Sequence, residues 1–369
     1  MERLKKVGKV VGVIVLVLLV AGGSGYAWAS WKSASMMEVT YEAHDVDFPV
    51  PFPLTEEELA ALRAERTPPA APDAANADAA DAANAEDPGA EGVVVAAPPA
   101  APPADPLEGV DLAALALERA VARGRHLVEA RYACIECHGD DFGGGTMIDD
   151  PMIGSLYGPN LTGGEGSRVT DWTVAEWDRA VRHGILPGGR PSAMPAEDYQ
   201  RMSDQELSDV IAYVRSFPAV DRRMPPISLG PLGTVLMATG QLPLSVTRIA
   251  EHDRAHPVAP PEAAPTVEFG EHLAGVCTGC HREDMRGGPI PAAPPDWLAA
   301  ANLTPHADGL AGWSYEDFRT AMREFRRPDG TELGLPMSLM RRYISNMSDV
   351  ELEAMWAYLQ SLQPQPTGT

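Results

Sequence analysis

Basic residues are scarce in this chain, with 29 lysines and arginines against 52 acidic side chains and a formal charge of −23 over 369 residues. No basic run occurs after residue 9, and each block beyond residue 29 is net acidic. That leaves no electrostatic footprint for gripping nucleic acid phosphates, which excludes that class, and makes basic faces of other proteins the expected partners. Cysteine is scarcer still. Four residues cannot build a disulfide scaffold, and all four fall in two identical patterns, Cys134-Ile135-Glu136-Cys137-His138 and Cys277-Thr278-Gly279-Cys280-His281. Residues 67–109 lack both basic and aromatic side chains and are mostly Ala, Pro, Asp and Glu. Such a stretch cannot bury a core, so it is expected to be a disordered linker, extended by proline and charge repulsion. It would serve as a leash for a swinging head or as an inert spacer.

At the N-terminus, Arg3, Lys5, Lys6 and Lys9 precede a charge-free run over residues 10–29. That length is about what a helix needs to cross a bilayer. An uncleaved transmembrane anchor is expected, with Trp28 and Trp31 at the interface, residues 1–9 in the cytoplasm and residue 30 onward in the periplasm. The competing expectation is a cleavable signal peptide, because Ala27-Trp28-Ala29 has a small-x-small form. Residues 30–66 read as an extended segment, Phe48-Pro49-Val50-Pro51-Phe52-Pro53, then a short helix capped by Thr55 and Glu58. No chemistry is assigned to them.

Residues 110–218 and 267–363 are two copies of one unit at an offset of 141 to 145. Asn160-Leu161-Thr162 answers Asn302-Leu303-Thr304, Trp172 answers Trp313, Met194 answers Met337, and Ala212-Tyr213 answers Ala357-Tyr358. Capping boxes at Thr173/Glu176, Ser203/Glu206, Ser314/Asp317 and Ser348/Glu351 mark helix starts in both copies. Leu207, Val210, Ile211 and Val214 share one helical face, as do Leu352, Met355, Trp356 and Leu359. Each copy is expected to be a small all-α domain with long glycine-marked loops, so something else must fill its centre. A connector over 219–266 joins them, and 364–369 is a tail.

Cys-x-x-Cys-His is the attachment pattern of haem c: two thiols on one helical turn add to the vinyl groups, and the adjacent His lies under the iron. Two covalently bound haems are expected, held by Cys134, Cys137 and His138 and by Cys277, Cys280 and His281. A four-thiolate zinc site or thioredoxin-like dithiols are the alternatives, and neither needs the histidines. The second iron ligand is expected to be a thioether, which raises the potential. Met194 lies 56 residues after His138 and Met337 lies 56 after His281. Met340 is the rival to Met337, while Met202 and Met347 are expected to pack at helix starts. His126 and His272 occupy matching sites and are expected to face solvent or cap a turn; His183 and His306 have no counterpart, which argues against histidine as the second ligand.

Both copies resemble class I cytochrome c domains, especially the tandem domains of dihaem cytochrome subunits in bacterial respiratory chains. The resemblance implies a few helices wrapped around each haem and a glycine-aromatic crossing of terminal helices at Gly124/Tyr213 and Gly270/Tyr358. It also implies a backbone carbonyl, at Pro159 in the first copy and Ala301 in the second, that accepts a hydrogen bond from the haem His. The expected role is single-electron transfer on the periplasmic side of a bacterial inner membrane rather than catalysis. Redox partners such as a respiratory dehydrogenase, reductase or terminal oxidase are implied. A subunit docked permanently on a dehydrogenase or oxidase, and a dihaem peroxidase, are the competing expectations.

Overall fold

The computed structural model describes residues 2–67, 105–290, 293–294 and 296–369. The disorder expected over 67–109 falls almost wholly outside them. Residues 2–52 with 117–369 form one compact unit and residues 53–116 another. Helix α1 (Glu2–Glu38) belongs to the larger unit and helix α2 (Glu56–Arg66) to the smaller. The expected capping box closes α2: Thr55 Oγ1 accepts from Glu58 N at 3.2 Å, and Glu58 Oε2 accepts from Thr55 N at 2.8 Å. Each bond satisfies an amide that the helix start leaves without a partner.

Helix α1 runs unbroken through Ala27-Trp28-Ala29. Among the described residues it is the one helix long and apolar enough to cross a membrane. Its last turn instead packs on the protein, where Met36 and Met37 meet a buried group of Ile185, Met237, Leu244 and Val246. The following residues stay on this surface. Tyr41 N donates to Gly189 O at 2.8 Å, Ser208 Oγ donates to Pro49 O at 2.8 Å, and Phe48 is buried among Val128, Trp177, Leu207 and Ile211. The leash reading is therefore corrected: the chain joins the first copy directly after α1, before it reaches residues 67–109. Extended, proline-rich backbone suits this packing because Pro49, Pro51 and Pro53 need no amide partners.

In the first copy, α3 (Leu112–His126) continues through one widened turn to Tyr132 and stops at Ala133, whose φ is +50°. Then come α4 (Ile135–His138), α5 (Val174–His183) and α6 (Asp204–Arg215). The terminal helices α3 and α6 cross at Gly124, where an added Cβ would collide with the Asp209 carbonyl oxygen and lie 2.8 Å from Tyr213 Cβ. Arg123 locks the crossing with bonds of 2.6 and 2.9 Å to Asp209. One part of the all-helical expectation is corrected. Strands β1 (Gly145–Asp150), β2 (Gly154–Gly158) and β3 (Ser228–Leu229) form a small antiparallel sheet in that order. The glycines read as loop markers allow close backbone approach instead: a Cβ on Gly145 would lie 2.8 Å from the Cys137 carbonyl oxygen.

After α7 (Pro231–Ala238) in the connector, the second copy comprises α8 (Val267–Leu273), α9 (Thr278–His281), α10 (Tyr315–Glu324), α11 (Arg341–Ile344) and α12 (Asp349–Ser361). Helices α8 and α12 cross at Gly270 against the Ala354 carbonyl and Tyr358 Cβ, the same contact as in the first copy. The capping boxes of α5, α6, α10 and α12 all form.

The two copies pack by exchanging matched side chains. His126 Nε2 bonds Glu351 at 2.9 Å, and its counterpart His272 Nε2 bonds Glu206 at 2.9 Å, so each histidine reaches the capping-box glutamate of the other copy. Arg131 bonds both carboxylates, Glu351 at 2.6 Å and Glu206 at 3.0 Å. Ala130 joins the core of the second copy while Val276 packs on that of the first. This corrects the solvent-facing or turn-capping placement of His126 and His272: two buried glutamates need partners, and these rings supply them.

Burial would push the Glu351 carboxyl up, but the bond from His126 and the Arg131 charge hold it down at about 2, against 4.5 ordinarily. A carboxyl depressed in the folded state stabilises it fully above about pH 4.5, and the contribution disappears as pH falls toward 2. Glu351→Gln is expected to cost about 2–3 kcal/mol at neutral pH, the scale of lost bonds to charged groups. In urea titrations the gap between wild type and variant should close from pH 4.5 to 2; a gap independent of pH contradicts this assignment.

Candidate haem sites

Each Cys-x-x-Cys-His pattern folds into one tight turn, with α4 carrying Cys137 and His138 and α9 carrying Cys280 and His281. His138 Nδ1 lies 3.0 Å from Pro159 O, and His281 Nδ1 lies 2.8 Å from Ala301 O. Donation from Nδ1 leaves each Nε2 with its lone pair, the tautomer a metal needs. The carbonyl at Ala301 serves as well as that at Pro159. The loops carrying these carbonyls are braced alike. Asn160 Nδ2 donates to Val220 O at 2.7 Å, and Asn302 Nδ2 donates to Gln365 O at 2.7 Å. Thus the start of the connector and the tail do the same work, a role the sequence reading did not assign.

The four thiols are free, and burial raises them: Cys134 and Cys277 are both pushed up to about 12, with the neighbouring Cys137 thiol adding to the first and Asp198 to the second. Redox dithiols need the opposite shift. No group among the described residues gathers the thiols as a four-thiolate site would require. Cys137 Sγ sits 3.6 Å from Met147 Sδ on the β1 bulge, a neighbour that no spacing rule indicated.

Matched residues line the two cores. Met194, Cys134, Leu161 and Trp172 all pack against the buried core of the first copy, and Met337, Cys277, Leu303 and Trp313 against that of the second. Met340 ends the single turn Met337–Met340 and is absent from that cluster. Met202 and Met347 are buried packing residues, as their positions before α6 and α12 suggested. His306 accepts from Asp308 N within its own loop. Two buried polar atoms of these clusters, Trp177 Nε1 and Tyr315 Oη, have no hydrogen-bond partner. Paired thiols, an oriented imidazole and a thioether in each copy, with unsatisfied polar atoms nearby, fit an iron macrocycle bearing carboxylates.

Both thiol-bearing turns lie at the contact between the copies. Tyr343 Oη donates to Glu136 at 2.6 Å and Arg342 to Asp140 at 2.7 Å, so α11 covers the first turn. Reciprocally, Asp198, in the turn after Met194, lies against Gly279. Burial, then repulsion from Glu197, pushes Asp198 up to about 7.

These modules define a tandem of haem-binding helical domains. Residues 119–214 match the family described as cytochrome C oxidase, cbb3-type, subunit III, and residues 267–363 match cytochrome c. Both modules of the chain therefore match cytochrome c-type family models. It is 29% identical over 261 residues to the cytochrome c subunit of alcohol dehydrogenase (quinone) from Gluconacetobacter polyoxogenes, covering 63% of this chain and 54% of that one. It is 28% identical over 292 residues to the gluconate 2-dehydrogenase cytochrome c subunit of Pantoea cypripedii, covering 69% and 63%. A diheme cytochrome c-type protein of Cereibacter sphaeroides is 28% identical over 237 residues, covering 59% and 74%. The chain thus spans little more than half the length of the first of these relatives.

Proposed function

We propose that the protein is a membrane-anchored dihaem cytochrome c that passes single electrons between redox proteins at the periplasmic face of a bacterial inner membrane. Cys134 and Cys137 would hold one haem with His138 and Met194 as axial ligands; Cys277 and Cys280 would hold the other with His281 and Met337. When bound, the two groups supply one-electron carriers cycling between ferric and ferrous iron. The Pro159 and Ala301 carbonyls orient the imidazoles, and the apolar residues around Met194 and Met337 limit water around the metal. The observation that carries the reading is the reciprocal cover at the interface, with Tyr343 and Arg342 on the first thiol turn and Asp198 on the second. With both groups bound, it would bring their attachment edges to one contact.

The names of the relatives favour permanent docking on a dehydrogenase as a second reading. Acidic surface would steer the basic face of either kind of partner. The matched thioethers in both copies weigh against a peroxidase. A redox titration of the full chain in detergent is expected to give two one-electron transitions. Its reduction by a dehydrogenase partner should slow steeply with added salt, since charge steering is screened. A high-spin ferric signal with peroxide turnover, or a rate indifferent to ionic strength, counts against the carrier and the steering respectively. Co-purification with a larger complex selects the docked form.

A further inference from the structure

Three histidines from distant parts of the chain meet beside the first module: His44 after α1, His183 at the end of α5, and His256 in the connector. One nitrogen from each lies within 4.8 Å of the others, and His183 is fully buried. Hydrogen bonds fix where their lone pairs point. His44 Nδ1 lies 3.0 Å from the His252 carbonyl, to which only an N–H can donate, so Nε2 carries the lone pair; it is buried without a partner. His252 Nε2 likewise donates to Val246 O at 3.1 Å, which leaves His252 Nδ1 to accept from His183 Nδ1 at 3.1 Å. That makes Nε2 the lone-pair atom of His183. His256 Nε2 faces His183 Nε2 at 3.3 Å.

Two imidazole nitrogens that close share either a proton or a cation. Nitrogens bound to one zinc at about 2.0–2.1 Å and a tetrahedral angle lie about 3.3 Å apart. His44 and His183 also have a carbonyl and an imidazole, respectively, at the other ring nitrogen, the outer support that ligating histidines use. Asp178 Oδ2, fully buried and without a hydrogen-bond partner, lies 3.7 Å from His183 Nε2. The opposing charge is Arg182, also fully buried, which bonds Asp178 Oδ1 at 2.6 Å and Asp204 at 2.8 Å, so this trio carries net negative charge. Burial foremost, then neighbouring charge, depresses His183 and His256 to about 3, which keeps both rings neutral at physiological pH.

We propose that His44, His183 and His256 bind one zinc ion, with Asp178 as the nearby anionic partner, and that this ion clasps the segment after α1 and the connector onto the first module. The site is separate from the haem ligands. Elemental analysis of the haem-loaded full chain is expected to give one zinc per two irons. After chelation, Zn2+ titrated by calorimetry should rebind at one equivalent and raise the melting temperature. His44→Ala and His256→Ala, both at partly exposed positions, should each weaken Zn2+ binding at least about 100-fold. Both variants should leave the haem spectrum and potentials unchanged, so failure here is distinct from failure of the electron-transfer reading. Milder weakening, about 10–100-fold, is expected for His252→Phe, which removes only the outer support. Absence of zinc with no rebinding overturns the proposal, as does Zn2+ binding that survives the His44→Ala/His256→Ala double variant.

Discussion

Cys134→Ala combined with Cys137→Ala is expected to remove one of two haems and the folded state of residues 110–218. The first module has little else to hold its centre. Helix α4 has 4 residues and α5 has 10, lengths that are marginal in water without tertiary packing. Met194, Trp172 and Leu161 would close around nothing, and a cavity of macrocycle size costs far more than the few kcal/mol of a truncated side chain. Intact mass should fall by one haem, and limited proteolysis should release the second module still stained for haem. The pair Cys277 and Cys280 should give the mirror result. An unmodified polypeptide in the wild type, or a variant that keeps both haems, contradicts covalent attachment through these thiols.

Met194→His should lower one midpoint potential by on the order of hundreds of millivolts, within the roughly 0.8 V that axial ligands command. Replacing a thioether by a second imidazole removes the preference for ferrous iron. Met337→His should shift the other centre alike, whereas Met340→Ala should move neither, because Met340 stands outside the cluster that holds Met337. Potentiometric titration of each variant decides this. A shift on altering Met340 with none on altering Met337 reassigns the distal ligand.

The haem modules were legible because their signals are local or repeated. Cys-x-x-Cys-His is a single turn, the matched landmarks recur at nearly equal intervals, and the capping boxes span four residues each. Gly124 and Gly270 followed from the family resemblance, and the structure supplies their reason in a helix backbone too near for a Cβ. What escaped depends on pairings far apart in sequence. His126 with Glu351, Tyr41 with Gly189 and His44 with His183 leave no periodic trace. The sheet escaped because glycine marks loops and tight strand packing alike.

Because Tyr41, His44, Phe48 and Pro49 are stitched to the first module, the redox centres of an anchored molecule ride at a set height above the lipid. Were α1 to span a bilayer, as proposed, their search for a partner would be lateral and two-dimensional. Lengthening residues 67–109 should leave that stand-off unchanged.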